Sequence, residues 1–259
     1  MSYRLKNLLV LIASCHVGLY FLAPQVAAFG QGQGPIEIVI DALASDDPAM
    51  RAGAIALVRD IPGPEVTRAL AKQLPRLPVA SQVQLLSALA DRGDSAALPA
   101  VVGAAKAADE SVRVAALKAL GQLGDASTVS LLAHRAGQTG GQEQTAARES
   151  LYRLRGPEVD QTILREIPSA EPKVKIELIQ SIGQRNIVSA VPILLKTAQD
   201  ADRKVQRESF KVLKNVADQK RLPALVELLM KVKSTSVRTE AEKTVAAVAH
   251  EIEQTDRQA

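Results

Sequence analysis

The chain has 259 residues, with 32 Lys and Arg set against 28 Asp and Glu, no Trp, and three each of Phe and Tyr. A charge this close to balance argues against a nucleic-acid binder, which would show a stronger basic excess. The shortage of aromatics removes the large anchors that dominate many interfaces. An apolar fraction of 47% is ample for burial, and Ala, Leu and Val carry it, which suits closely packed short helices.

Arg4 and Lys6 precede an uncharged, mostly apolar run from Leu8 to Leu22, broken by Pro24 and followed by Val26-Ala27-Ala28. This order is that of a secretory signal peptide over 1–28, cleaved after Ala28. Two other readings of the segment stand beside it. Ile12-Ala13-Ser14-Cys15 resembles a bacterial lipobox, in which Cys15 would be lipidated. Left uncleaved, the run would be a membrane anchor, somewhat short for a span of ~20 residues. The expected location is outside the cytoplasm, periplasmic or extracellular, or else membrane-anchored through this segment alone. Cleavage removes Arg4, Lys6 and the single Cys, which takes the basic count from 32 to 30 against 28 acids. The remaining chain then has no disulfide, thiolate nucleophile or Cys metal site.

Residues 29–35, with Gly30, Gly32, Gly34 and Pro35, read as a flexible linker. A repeat follows over 36–254, before a polar tail at 255–259 expected to be disordered. Met50, Ser81, Val112, Glu143, Val174 and Val205 are spaced 31 residues apart, and Val237 follows with one residue inserted. Eight residues after each stand Val58, Leu89, Leu120, Leu151, Ile182, Leu213 and Val245. Twenty residues after the first six stand Leu70, Val101, Leu132, Ile163, Leu194 and Leu225. A period of this length means a stacked array of supersecondary units.

Each unit reads as two short helices, clearest in the third, over Ala96 to Ala108 and Ser111 to Leu123. Val112, Ala115, Ala116, Ala119, Leu120 and Leu123 recur at helical spacing, and Gly124 is placed as a C-terminal stop. Pro99, Pro192 and Pro223 sit inside apolar runs and belong in first turns, where the missing N–H costs little. Asp47 and Arg51, Asp109 and Arg113, and Glu171 and Lys175 each lie four residues apart. The acid is suited to cap the second helix and the base to pair with it one turn later.

The run Leu98-Pro99-Ala100-Val101-Val102, then Asp109-Glu110-Ser111-Val112-Arg113-Val114-Ala115-Ala116-Leu117-Lys118-Ala119-Leu120-Gly121-Gln122-Leu123-Gly124-Asp125, closely resembles a HEAT repeat. Its short period is like the HEAT units of phycobilisome lyases. The resemblance implies an all-α, right-handed α-solenoid of about seven hairpins that binds other proteins. The fourth repeat departs from the pattern: Glu143 and Arg148 take usual apolar positions, and Gly137, Gly140 and Gly141 suggest a loosened turn, a hinge or a bulge.

No catalytic residue, metal ligand set or cofactor site emerges. His134 and His250 lie far apart, and His250-Glu251 is an isolated pair in the last helix. There is no nucleophile elbow and no phosphate loop. One surface feature rises above background. Arg203, Arg207, Lys211 and Lys214 fall at a spacing of four, four and three, forming a basic stripe on one helix face. They are the candidate partner-binding residues, suited to dock an acidic protein, a polyanion or an anionic lipid. The resulting expectation is a non-enzymatic scaffold of the bacterial envelope, binding along the inner face. The alternative is an enzyme-accessory or lyase-like protein handling a bound cofactor.

Overall fold

A computed structural model describes the backbone of residues 34–258 and the side chains of residues 34–250. The signal segment, Cys15 and most of the linker lie outside these residues. The chain divides at Leu123/Gly124 into two compact units. The described part of the first holds α1 (Pro35–Leu43), α2 (Pro48–Leu57), α3 (Pro64–Ala71), α4 (Val79–Arg92), α5 (Leu98–Ala104) and α6 (Glu110–Leu123). The second holds α7 (Val129–Gln138), α8 (Gly141–Arg153), α9 (Val159–Glu166), α10 (Pro172–Arg185), α11 (Val191–Thr197), α12 (Arg203–Val216), α13 (Leu222–Lys231) and α14 (Thr235–Gln258). All described regular elements are helical, and they pair in chain order into seven hairpins. Within each unit the even-numbered helices stack on one another, the packing of an α-solenoid.

The register is the one the period predicts. Met50, Ser81, Val112, Glu143, Val174, Val205 and Val237 are all buried. Val58, Leu89, Leu120, Leu151, Ile182 and Leu213 are 0% exposed, as are Leu70, Val101, Leu132, Ile163, Leu194 and Leu225. Val245, in the last hairpin, is half-buried. Pro99, Pro192 and Pro223 stand in the first turns of α5, α11 and α13. The α14 backbone runs past Gln254 to Gln258.

The acid–base offset combines the expected capping with a second contact, and the charge of Arg113 acts on Asp109. Asp47, Asp109 and Asp202 do cap α2, α6 and α12, accepting N–H bonds from Ala49, Ser111 and Lys204 at 2.8, 2.8 and 2.7 Å. The residue after a mark also staples the turn between the two helices. Arg51 donates to Ser45 O at 2.6 Å, Gln82 to Leu77 O at 2.8 Å, Arg113 to Ala107 O at 2.9 Å, Gln206 to Asp200 O at 2.6 Å and Arg238 to Val232 O at 2.9 Å. These carbonyls close a first helix or its turn and would otherwise lack partners. Lys175 reaches Asp200 at 2.8 Å instead of pairing with Glu171. Gly124 does not take a positive φ. The left-handed caps are Gly93, at φ 71, and Asn186, at φ 53.

A longer period underlies the short one. Gly63-Pro64-Glu65-Val66 recurs as Gly156-Pro157-Glu158-Val159, 93 residues or three repeats later. Both glycines need a left-handed φ, 109 and 128. Arg92 donates to Val58 O, Ile61 O, Gly63 O and Thr67 Oγ1. Its counterpart 93 residues on, Arg185, donates to Tyr152 O, Leu154 O and Asp160 Oδ1. Leu154 and Asp160 are themselves the counterparts of Ile61 and Thr67. The same guanidinium thus closes the same turn in each unit, so the first three of the second unit's four hairpins match the three of the first as a module.

The fourth hairpin is neither loose nor bulged. A Cβ on Gly137 would lie 3.0 Å from Val174 N and 3.1 Å from Lys173 C, so this glycine lets α7 touch the α10 backbone. Gly140 is the N-cap of α8, and Gly141 has φ 59. Glu143 at its core position is paired with Arg135 Nη1 at 2.8 Å.

Candidate partner-binding site

The site follows from comparing the second module with the first. At equivalent positions the first unit has Ile55, Gln84 and Ala115, and the second has Arg148, Glu177 and Glu208. These three lie on α8, α10 and α12, the second helices of successive hairpins. Arg148 Nε and Nη2 donate to Glu177 Oε2 and Oε1 at 2.7 and 2.6 Å, a two-pronged pair suited to the planar guanidinium. The Glu177 side chain is 5% exposed and that of Arg148 is 33% exposed. The hydrogen bonds to Glu177, ahead of its charge, hold the Arg148 pKa above its usual range, with a further contribution from Glu208.

Tyr152, one turn along α8, joins this seam. Burial pushes its phenol up to about 12, and the charges of Glu177 and Glu208 push the same way against Arg148. Glu208 also accepts from Lys211 Nζ at 3.2 Å. The two departures visible in sequence, Arg148 in the fourth repeat and the basic stripe in the sixth, therefore meet at one network. Glu177 and Glu208 complete it. The sequence signal that would have found them is the 93-residue comparison, which exposes them as replacements of Gln84 and Ala115.

The structure does not treat the four stripe residues alike. Arg207 and Lys214 are exposed, without ion-pair or hydrogen-bond partners among the described residues. Lys211 is half-buried and held by Glu208. Arg203 opens α12 and lines a separate cleft at the turns between helices. Their counterparts in the first unit are Glu110, Val114, Lys118 and Gly121, so the basic face belongs to the second module. Phe210 is fully buried, as the repeat predicts.

Other candidate chemistry is sparse. His134 is exposed on α7, where its field opposes the burial that raises the pKa of Glu166. Among the described residues, no three of His, Cys, Asp or Glu converge as metal ligands would. No described helix is long and apolar enough to cross a membrane.

A family model described as HEAT repeats matches residues 78–152 and 161–246, more than half of the chain. The chain belongs to the HEAT-repeat family. No curated protein matches it. Among solved structures, this HEAT-repeat chain is similar to the complex of CpcE and CpcF of phycocyanin lyase from Nostoc sp. PCC7120, at 19% identity and a TM-score of 0.40, covering 90% of this chain and 99% of that one. It is also similar to human deoxyhypusine hydroxylase, at 17% identity and a TM-score of 0.37, covering 83% and 96%. An engineered protein matches at 20% identity and a TM-score of 0.42, covering 83% and 68%. Likeness this distant speaks for neither activity nor substrate.

Proposed function

We propose that this HEAT-repeat chain is a non-enzymatic scaffold of the bacterial cell envelope that binds an acidic protein partner on its second unit. One observation carries the reading: Arg207 and Lys214 stand exposed on α12 and unpaired among the described residues, while the adjacent Glu208 is already engaged by Lys211. The face is thus left with free positive charge where the first module has Val114 and Gly121. Such charge steers association and selects against basic partners. Export rests on the order of features in residues 1–28.

The test is affinity capture from the native envelope with the wild-type chain and with Arg207→Glu, Lys214→Glu. The expected result is a protein retained by the wild type and lost by the variant at unchanged thermal stability. Equal retention overturns the face, and a tetrapyrrole or metal ion in the purified protein overturns the non-enzymatic reading. N-terminal sequencing reads the export route: a start at Phe29 means a soluble exported chain, a lipid-modified Cys15 an anchored one, and an intact Met1 an uncleaved anchor.

A further inference from the structure

The second unit carries a cleft of about 770 Å³ between the helix-connecting turns of the sixth and seventh hairpins. That volume falls within the ~300–1,000 Å³ range of ligand pockets. Leu228 and Val232, nearly buried, give it an apolar floor, and Arg203, Lys231 and Lys233 bring positive charge. No carboxylate lines it.

The charge of this cleft is not spent internally. Arg203 and Lys233 have no ion-pair or hydrogen-bond partner among the described residues, while Lys231 binds Glu227 at 2.5 Å. The acids on the neighbouring turn are occupied. Asp200 accepts from Lys175 Nζ at 2.8 Å and from the Asp202 N–H at 2.9 Å. Asp202 accepts from the Lys204 and Val205 N–H groups at 2.7 and 3.2 Å. Ser234 and Ser236, whose hydroxyls lie 3.2 Å apart, add neutral donors to the wall. Arg203 replaces Glu110 of the first module, a reversal of charge at an equivalent position.

We infer that this cleft binds an acidic peptide segment of the partner, one in which carboxylates alternate with aliphatic side chains. The carboxylates meet Arg203 and Lys233 while an aliphatic side chain covers Leu228 and Val232. The inference rests on the scaffold reading and adds a second, separate contact away from Arg207 and Lys214.

Fluorescence anisotropy tests it on the full chain with a labelled peptide of alternating Glu and Leu, a Gln–Leu control, and free glutarate as competitor. The variants are Arg203→Ala, Lys233→Ala in the cleft, Ser236→Glu as a second cleft change, and Arg207→Glu, Lys214→Glu on the face. Two solvent-accessible ion pairs predict binding weaker by roughly 3- to 30-fold in the Arg203, Lys233 variant. Ser236→Glu weakens it as well, the face variant weakens it less than either cleft change does because its charges lie outside the cleft lining, and the Gln–Leu peptide binds poorly. Wild-type affinity in both cleft variants overturns the inference. Glutarate binding as tight as the peptide's overturns the peptide assignment. If the peptide fails to bind the wild type, the cleft inference falls, while partner capture and its loss in the face variant still decide the scaffold reading.

Discussion

Arg148 and Glu177, 29 residues apart on α8 and α10, close a two-bonded ion pair at positions where the first module has Ile55 and Gln84. The pair adds a directed, charged contact between the stacked helices. Glu177 is almost wholly enclosed, so removing Arg148 alone leaves a buried carboxylate without its partner. Because Arg148 is itself a third exposed, the expected cost of Arg148→Met is roughly 1–3 kcal/mol, less than for a fully buried pair. Urea unfolding of Arg148→Met, Glu177→Met and the double variant measures the coupling, and the double variant should cost less than the sum of the two. Strict additivity would mean that the pair contributes nothing to stacking.

Tyr152 reports the same seam optically. Its pKa is raised from 10.0 to about 12, first by burial and then by the Glu177 and Glu208 charges. A raised folded value means that this contribution to stability is fully present below pH 10 and is lost as pH rises toward 12. In a Tyr3→Phe, Tyr20→Phe chain, Tyr152 is the sole phenol. Its phenolate absorbance should titrate well above that of free tyrosine, and Glu177→Gln should bring the midpoint down. A midpoint at the free value would place Tyr152 in water.

Gly137 and Gly103 separate helix propensity from packing. Both lie in helices, but Gly103 has nothing within 4 Å of where a Cβ would sit, whereas Gly137 meets the backbone of Lys173 and Val174. Gly103→Ala should stabilise by about 0.5–1 kcal/mol through propensity and unfolded-state entropy. Gly137→Ala should destabilise by about 1–3 kcal/mol, since backbone cannot move aside as a side-chain tip can. Thermal melts of the two variants should therefore shift in opposite directions.

Leu120 tests the register of the first unit. It is 0% exposed at a repeat position, while Lys118, two residues earlier, is exposed. Leu120→Asp buries a charge without a partner and should cost about 4 kcal/mol or more, in the range that unfolds a marginal unit. Lys118→Asp should lie within about 0.5 kcal/mol of wild type. Hydrogen exchange should show protection lost along α4 and α6 in the first variant only. Equal protection in both would mean that the repeat is misregistered.

The hairpins and their register were legible in the residues themselves. Helical spacing of apolar side chains and a period of 31 residues are local or strictly periodic signals, and Leu89, Leu120 and Leu151 are buried where they predict. Capping by Asp47 and Asp109 and the first-turn prolines were legible for the same reason, since each acts within a few residues of chain. Glycines were misread where their role is to admit another helix, because nothing near Gly137 in sequence announces the α10 backbone beside it.

Charged side chains divide along the same line. Arg203, Arg207, Lys211 and Lys214 form one uniform stripe in sequence, yet the folded chain sends Arg203 to a cleft, holds Lys211 with Glu208, and leaves Arg207 and Lys214 open. Arg148 was conspicuous as a charge at a core position, but its partner lies 29 residues away on another helix. The sequence by itself determined which atoms leave water, because burial follows a repeating apolar face. The tertiary structure alone decided which charges remain available to a partner. An ion pair forms between whichever groups the stacked helices bring within about 3 Å, and that distance depends on packing across repeats.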